Sequence, residues 1–374
     1  MSANTELQWK GYAVHDTKEW DQFKVVDFKP KQFEDKDVDI KIEYCGVCGS
    51  DIHTITGGWG DVHLPLITGH EITGHVVRVG PKVTEFKVGD RVGVGAQVGS
   101  CYDCKRCKGG SENYCHKAIH TYNSLYPDGT VSQGGYATAI RANEQFVFRI
   151  PDELPLEQAS PMMCAGITVY SPLKTNGAGP GKSVGVIGIG GLGHFALQFA
   201  KALGSDRVVA FSHSENKKDD AFALGATDFV NTGDKNWVKD WSDTLDIILC
   251  TVDVSHHIPL SDIFATLKVH GRCIMVALPD DALPGINAFD MTTSGVLLGG
   301  SHIGSKAEVV EMLELAVKKG VKSYIQMLPS MSSSSSRASV GLIGHAIVVK
   351  EAGKAVQGVK SGKIRYRYVL KVDI

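Results

Sequence analysis

The chain has no surplus of either charge: 39 lysines and arginines face 41 aspartates and glutamates in 374 residues. Such a balance gives no electrostatic footprint for DNA, RNA or an anionic membrane, so none of these is expected as a partner. Long hydrophobic runs are missing too. The apolar stretches at 184–189 and 247–250 have the length of strands, far short of the ~20 residues that cross a bilayer. The opening MSANTELQWK holds neither an apolar signal core nor an arginine-rich amphipathic pattern, and the final Val372-Asp373-Ile374 matches no retrieval or peroxisomal address. A cytoplasmic location is therefore expected. Thiols stay reduced there, which makes nine cysteines a sign of metal binding or catalysis rather than of disulfides.

At this length two domains are the natural expectation. Up to about residue 155 the pattern is β-rich, with short β-branched runs at 38–44, 72–79, 91–94 and 135–140 set between glycines. From about 156 strand and helix alternate. Residues 183–188 read as a strand, after which Leu192, Phe195, Ala196, Phe199, Ala200 and Leu203 line one helix face. Further strands are expected at 207–211, 228–230, 246–250, 272–277 and 295–298, with a helix at 217–224. The class is α/β, because this alternation builds a doubly wound parallel sheet covered on both faces. A helix after Gly300 carries Val309, Met312, Leu313, Ala316 and Val317 on one side, and the tail 365–372 reads as a strand returning to the β-rich part. Residues 332–336 are five consecutive serines. A polar tract of that kind cannot offset its ordering entropy and is expected as a surface loop.

Cys101, Cys104, Cys107 and Cys115 stand in a C-x2-C-x2-C-x7-C run. Four thiolates so close suit one tetrahedral ion with Zn–S bonds of ~2.3 Å. With four protein ligands no position is open, so this zinc is expected to be structural; a redox or disulfide cluster is the competing reading. A second set is dispersed: Cys48 in CGVCGSDIH, His70 beside Glu71 in GHEITGH, and Cys164 in PMMCAGITVY. Two thiolates and an imidazole leave a fourth position for water or substrate, as a catalytic zinc requires. Taken singly, each would read as a small core cysteine or a hydrogen-bonded histidine; the joint pattern carries the assignment. Ser50 and His53 are the candidates for moving a proton from a zinc-bound alcohol outward to solvent, a hydroxyl feeding an imidazole that titrates near neutrality. An ordinary surface histidine is the alternative for His53.

Gly188, Gly190, Gly191, Leu192 and Gly193 form GIGGLG, which follows a strand and opens a helix. That context makes it a dinucleotide fingerprint, with the pyrophosphate on free N–H groups at the helix N-terminus. An NAD-binding site is expected to carry an acid about 20 residues further on. Ser212 stands there instead, in AFSHSENKK. A hydroxyl with cations nearby suits the 2′-phosphate of NADP, while a loop that leaves the 2′ position unread is the alternative.

These motifs, with GVGAQ, QGGYA, CAGITVYSPL and SHIGS, extend over nearly the whole chain. Together they resemble the zinc-containing medium-chain alcohol dehydrogenases, within them the NADP-dependent cinnamyl alcohol dehydrogenase branch with its fungal broad-specificity members. The resemblance implies a GroES-like catalytic domain at 1–155, with a structural zinc lobe at about 95–120, and a Rossmann NADP-binding domain at 156–300. Residues 301–374 then return to the catalytic domain. It implies two zinc ions per subunit, one on Cys48, His70 and Cys164 with Glu71 able to approach, the other on the four-cysteine run. Asp51 matches a carboxylate that orients a ligating histidine, and Cys45 a packing residue. Ser212, His213 and Lys217 match positions that read the 2′-phosphate; Thr168, Ser301 and Ile303 match positions that line the nicotinamide; Trp59 matches an aromatic pocket wall. The implied reaction is reversible oxidation of primary alcohols to cinnamyl, aryl or medium-chain aliphatic aldehydes with NADP(H), a small-molecule chemistry. A homodimer joined through an edge strand at 295–300 is implied as well. The alternatives are an NAD-linked zinc polyol dehydrogenase, against which Ser212 and Cys164 argue, and a catalytically silent NADPH-binding protein, which would be expected to lose zinc ligands. The chain departs from its relatives at 330–349, where the serine tract reads as an atypical insertion whose effect on folding and activity the sequence leaves open.

Overall fold

The computed structural model describes residues 7–325, 347–362 and 364–374. They fall into two compact units, each with its own sheet and core.

The first unit comprises Met1–Cys164, Ser305–Leu313 and Ser323–Ile374. Its main sheet runs, in spatial order, Ile347–Val348, Tyr368–Lys371, Asp37–Val47, Glu71–Val79, Arg91–Val94 and Val147–Arg149, with Ala139–Asn143 also paired to Asp37–Val47. Asp37–Val47 has neighbours along both edges and is buried over most of its length, which its valines, isoleucines and tyrosine suit. It pairs antiparallel with Glu71–Val79, setting Cys45 opposite Ile72 and Gly46 opposite Glu71. Tyr368–Lys371 pairs antiparallel along the other edge, with Tyr368 opposite Val47. Ile40, Ile42, Cys45, Ile72, Val92 and Leu370 belong to one core.

One local expectation is corrected, and one element had no counterpart in the sequence pattern. The strand anticipated at 135–140 is Ala139–Asn143. Residues 135 and 136 bond to the loop before His70 instead, Gly135 N–H to the Gly69 carbonyl at 2.7 Å and Tyr136 N–H to that of Thr68 at 2.9 Å. Lys10–Val14 and Phe23–Asp27 pair antiparallel with each other, a ribbon no pattern had marked.

The second unit comprises Ala165–Gly304 and Glu314–Lys322. Six parallel strands run in the order Asp228–Asn231, Arg207–Ser212, Ser183–Ile187, Leu245–Cys250, Leu267–Met275 and Leu297–Gly300. Ser183–Ile187 lies where the strand order reverses, and such a switch point leaves a crevice at the carboxyl ends of its strands. Helix Gly193–Ala202 follows at once and buries Phe195, Leu197 and Phe199. Phe199 meets Tyr170 of helix Ala165–Thr175 edge-on, 5.5 Å between ring centres. The helix expected at 217–224 is Lys218–Ala223, entered through a single 3-10 turn at Glu215–Lys217.

The serine-rich insertion expected at 330–349 lies outside the described residues up to position 346. Among the described residues no helix is long and apolar enough to cross a membrane.

Candidate functional site

The first centre is built by three segments of the first unit. Cys48 precedes the short helix Gly49–Ile55; His70 and Glu71 enter strand Glu71–Val79; Cys164 closes the 3-10 turn Ser160–Met163. One donor atom from each of Cys48, His70, Glu71 and Cys164 lies within 4.8 Å of the others, and all four residues are buried. His70 Nε2 is 3.1 Å from Cys164 Sγ. Glu71 can sit there only because its strand partner is Gly46: a Cβ on Gly46 would stand 2.0 Å from a Glu71 carboxylate oxygen. Ser160 fixes the Cys164 turn to the same strand by donating its hydroxyl to the Glu71 carbonyl at 2.6 Å.

The donors behave as a set that needs a cation. The hydrogen bond between the two thiols holds Cys48 well below the ordinary thiol range, and the same bond pushes Cys164 well above it. Burial opposes a charge on His70, but the hydrogen bond and negative charge of Cys48 outweigh it and lift the imidazole to about 9. Burial pushes Glu71 up to about 8 against the pull of Arg367. Both Glu71 carboxylate oxygens are buried without a hydrogen-bond partner, and Arg367 stands 3.3 Å from only one of them, which leaves the other costly to bury unless a second cation faces it. Two sulfurs, one imidazole nitrogen and a nearby carboxylate therefore fit Zn²⁺ in donor type and spacing.

Asp51 organises this centre from beneath. One carboxylate oxygen accepts from the Cys48 N–H and from the Tyr136 hydroxyl, each at 2.9 Å; the other accepts from the Gly69 N–H at 3.0 Å. These bonds tie the two ligand-bearing loops to each other through their backbones. Tyr122 stacks on the His70 ring, 5.4 Å between centres and 12° from parallel. Ser50 Oγ lies 3.6 Å from Cys48 Sγ, and His53 follows one turn later on the same helix.

The four-cysteine run forms a separate knot in which Cys115 is buried and Cys101, Cys104 and Cys107 are half-buried. Its sulfurs stand 3.5 Å apart for Cys104 and Cys107, 3.5 Å for Cys101 and Cys115, and 3.9 Å for Cys101 and Cys107. Disulfides would need ~2.05 Å, whereas thiolates at the corners of a zinc tetrahedron lie about 3.8 Å apart. Backbone N–H groups of Cys104 and Lys117 point at Cys101 and Cys115 sulfurs at 3.4 Å each. The knot fits a closed structural zinc.

In the second unit Gly188 turns the chain from strand into helix with φ of +89°. A Cβ on Gly193 would meet the Gly188 carbonyl at 2.0 Å, yet one on Gly190 would meet nothing within 4 Å. Close packing on one side and open space on the other are what a pyrophosphate approaching the backbone requires. Helix Gly193–Ala202 starts without a side-chain cap. Lys217 donates to the Ile189 carbonyl at 2.7 Å, bringing its ammonium to the turn from the far side of the next strand. Ser212 ends strand Arg207–Ser212 and is buried, with exposed His213 beside it. Thr168 is buried on helix Ala165–Thr175; Ser301 follows the last strand and donates its N–H to the Met275 carbonyl at 3.1 Å. Ile303 holds φ of +42°, a conformation that a β-branched residue adopts only under constraint and that concentrates at functional sites.

Residues 34–152 match the alcohol dehydrogenase GroES-like domain, and residues 191–318 the zinc-binding dehydrogenase domain. The chain belongs to the zinc-binding alcohol dehydrogenase family. It is 39% identical over 368 residues to NADP-dependent alcohol dehydrogenase 6 of Saccharomyces cerevisiae, covering 97% of this chain and 96% of that protein. A cinnamyl alcohol dehydrogenase of Sorghum bicolor has the same fold with a TM-score of 0.88 and 34% identity, covering 97% of both chains. A CAD of Helicobacter pylori, solved with NADP(H), gives 0.85 and 35%, covering 98% of both.

Several residues of this dehydrogenase's centres gave no signal in the sequence. Arg367 is buried, donates to the Val47 carbonyl at 3.1 Å and lies 3.3 Å from a Glu71 oxygen. His194 turns its ring to the Gly191 carbonyl at 2.9 Å, and the Thr251 hydroxyl donates to the Ile187 and Gly188 carbonyls, 2.9 Å from each, clamping the glycine turn. Arg367 lies in the tail read as a strand, and nothing in the sequence ties it to Glu71, 296 positions away.

Proposed function

We propose that this dehydrogenase interconverts primary alcohols and aldehydes of the cinnamyl, aryl and medium-chain aliphatic classes, with NADP(H) as hydride carrier. The observation that carries the reading is the convergence of Cys48, His70 and Cys164 donors, with Glu71 beside them, within 4.8 Å of one another. Cys48, His70 and Cys164 would hold the catalytic zinc, with Glu71 close enough to exchange onto it, and Cys101, Cys104, Cys107 and Cys115 the structural one. Zinc supplies Lewis-acid polarisation of the alcohol or aldehyde oxygen, and the nicotinamide gives or takes the hydride.

The chain's own residues supply the rest. Ser50 Oγ, beside Cys48, takes the alcohol proton, and the His53 imidazole passes it to solvent. Gly188, Gly190, Gly191, Leu192 and Gly193 cradle the pyrophosphate. Ser212, His213 and Lys217 offer a hydroxyl, an imidazole and an ammonium to the 2′-phosphate, where an acid would repel it. Thr168, Ser301 and Ile303 orient the nicotinamide face. The likeness to an enzyme named NADP-dependent supports that choice.

Two further expectations belong to the proposal. A cytoplasmic site is consistent with nine unpaired cysteines. A homodimer through the sheet edge is supported by the terminal position of Leu297–Gly300 and by Phe289 and Leu297, which are 74% and 54% exposed.

The deciding experiment is a kinetic panel of cinnamaldehyde, benzaldehyde, hexanal and mannitol, run with NADPH and NADH, with and without a chelator. Chelator-sensitive aldehyde reduction at least about tenfold better with NADPH is expected. Mannitol oxidation with NAD⁺ in its place would establish the polyol reading, and no turnover at all the silent one.

A further inference from the structure

Trp59 is assigned to a substrate wall by resemblance alone, but its indole is occupied on one face by something else. The His53 and Trp59 rings lie 4.9 Å apart between centres and 3° from parallel. His53 sits in the last turn of helix Gly49–Ile55, and Trp59 comes six residues later. The chain folds back to bring the two together. Gly57 and Gly60 hold φ of +76° and +111° on either side of Trp59. Gly57 donates to the Thr54 carbonyl at 2.9 Å, and Gly58 to that of His53 at 2.8 Å. A Cβ at Gly57 or Gly60 would meet no atom nearer than 3.8 Å, so it is the backbone angle, not space, that calls for glycine. The turn is built to return an aromatic ring over the helix end.

Trp59 remains 42% exposed. One face covers the imidazole. Cys48 is buried, Ser50 with its Oγ 3.6 Å from the Cys48 sulfur and His53 one turn further along the same helix are half-buried, and Trp59 is exposed.

We propose that Trp59 is a positioning residue for proton release: its stack holds the His53 ring in the one orientation from which it serves Ser50. Stacking removes the ring's freedom to turn about its side-chain torsions and keeps water from one face. It remains attractive when the imidazole is protonated, because a cation over an indole face is stabilised by the ring quadrupole. This role rests on the proton path of the proposed reaction, and it acts through His53 rather than through substrate shape.

The test compares Trp59→Leu and Trp59→Phe, alone and combined with His53→Gln, in the zinc-loaded enzyme. Alcohol oxidation is followed with butanol and with cinnamyl alcohol, in water and in deuterium oxide. Trp59→Leu is expected to lower kcat roughly fivefold to tenfold for both alcohols, with KM changed less than about twofold, and to raise the solvent isotope effect. Trp59→Phe, which keeps a stacking ring, recovers most of the rate. In the His53→Gln background Trp59→Leu adds less than about a twofold loss, since the ring it positions is gone. A loss confined to KM and growing with alcohol size, or a full loss retained in the His53→Gln background, overturns the proposal. Absence of alcohol oxidation in the wild-type enzyme would instead sink the underlying reaction.

Discussion

Glu71 and Arg367 face each other at 3.3 Å with both side chains buried. Neither charge has water to turn to, and the Arg367 Nε is itself without a hydrogen-bond partner. A pair of this kind gives little net stability, but removing Arg367 leaves the Glu71 carboxyl buried with neither its cation nor a hydrogen-bond partner. Arg367→Met is therefore expected to destabilise the protein by about 3 kcal/mol. Adding Glu71→Gln removes the orphaned carboxyl and should restore part of that loss. Urea denaturation of the two single variants and the double variant checks the coupling; strictly additive losses would refute it.

The two cysteine clusters predict opposite phenotypes. Cys107→Ser opens the closed knot, so one zinc per subunit and several degrees of melting temperature should be lost together, because a structural ion contributes folding free energy directly. Cys164→Ser should also lose one zinc, with aldehyde reduction falling by about a thousandfold or more, while the melting temperature changes less. Elemental analysis beside thermal unfolding monitored by circular dichroism separates the cases. Retention of both ions in Cys164→Ser would contradict the assignment.

Ser212 ends its strand where an acid would bind ribose hydroxyls. Ser212→Asp is expected to lower kcat/KM for NADPH by about a hundredfold through charge repulsion, and to leave NADH unchanged or improved. Steady-state kinetics with both cofactors measures this. An unchanged NADPH preference would show that the 2′ position is read elsewhere.

A pH effect follows from the second unit. Arg207 donates two hydrogen bonds to Asp228, both at 2.8 Å, and its bonding, against partial burial, holds the Asp228 carboxyl below its ordinary range. A depressed carboxyl binds fewer protons folded than unfolded, so its contribution is complete above the unfolded pKa of ~3.9 and fades as pH falls through the folded value. Both side chains are partly exposed, Arg207 by 41% and Asp228 by 28%, which limits the contribution to about 0.5–1 kcal/mol. Asp228→Asn should accordingly melt slightly lower at pH 7 and show a flatter decline below about pH 5. Melting curves from pH 3 to 7 decide; parallel declines in the two proteins would deny the linkage.

Much of this was legible because the chemistry is local. The spacing of Cys101, Cys104, Cys107 and Cys115 is short enough to specify a tetrahedron, and a glycine turn between an apolar run and a helical stripe announces a phosphate site. The parallel sheet was equally readable, since Val184, Val186, Val208, Val209, Ile247 and Ile248 are buried on both faces and so form continuous apolar runs. What escaped depends on distance along the chain. Arg367 reaches Glu71 across 296 positions, and the N–H groups of Gly135 and Tyr136 bond to an irregular loop rather than to a strand. Alternation cannot reveal a partner that lies outside the segment. The stack of Trp59 on His53 was hidden for a different reason: both residues were noticed, but the reversal at the left-handed Gly57 that brings their rings together leaves no periodic trace in the sequence.

The strand Tyr368–Lys371 has a consequence for how the molecule is made. It lies against Asp37–Val47 and delivers Arg367 beneath Glu71. During synthesis every candidate zinc ligand leaves the ribosome long before that arginine does. The nucleotide-binding unit can therefore collapse on its own strands first, whereas the metal centre keeps an unbalanced carboxylate until almost the whole polypeptide has emerged. A product truncated ahead of Arg367 would carry all the cysteines and histidines of the centre and still be unable to finish it.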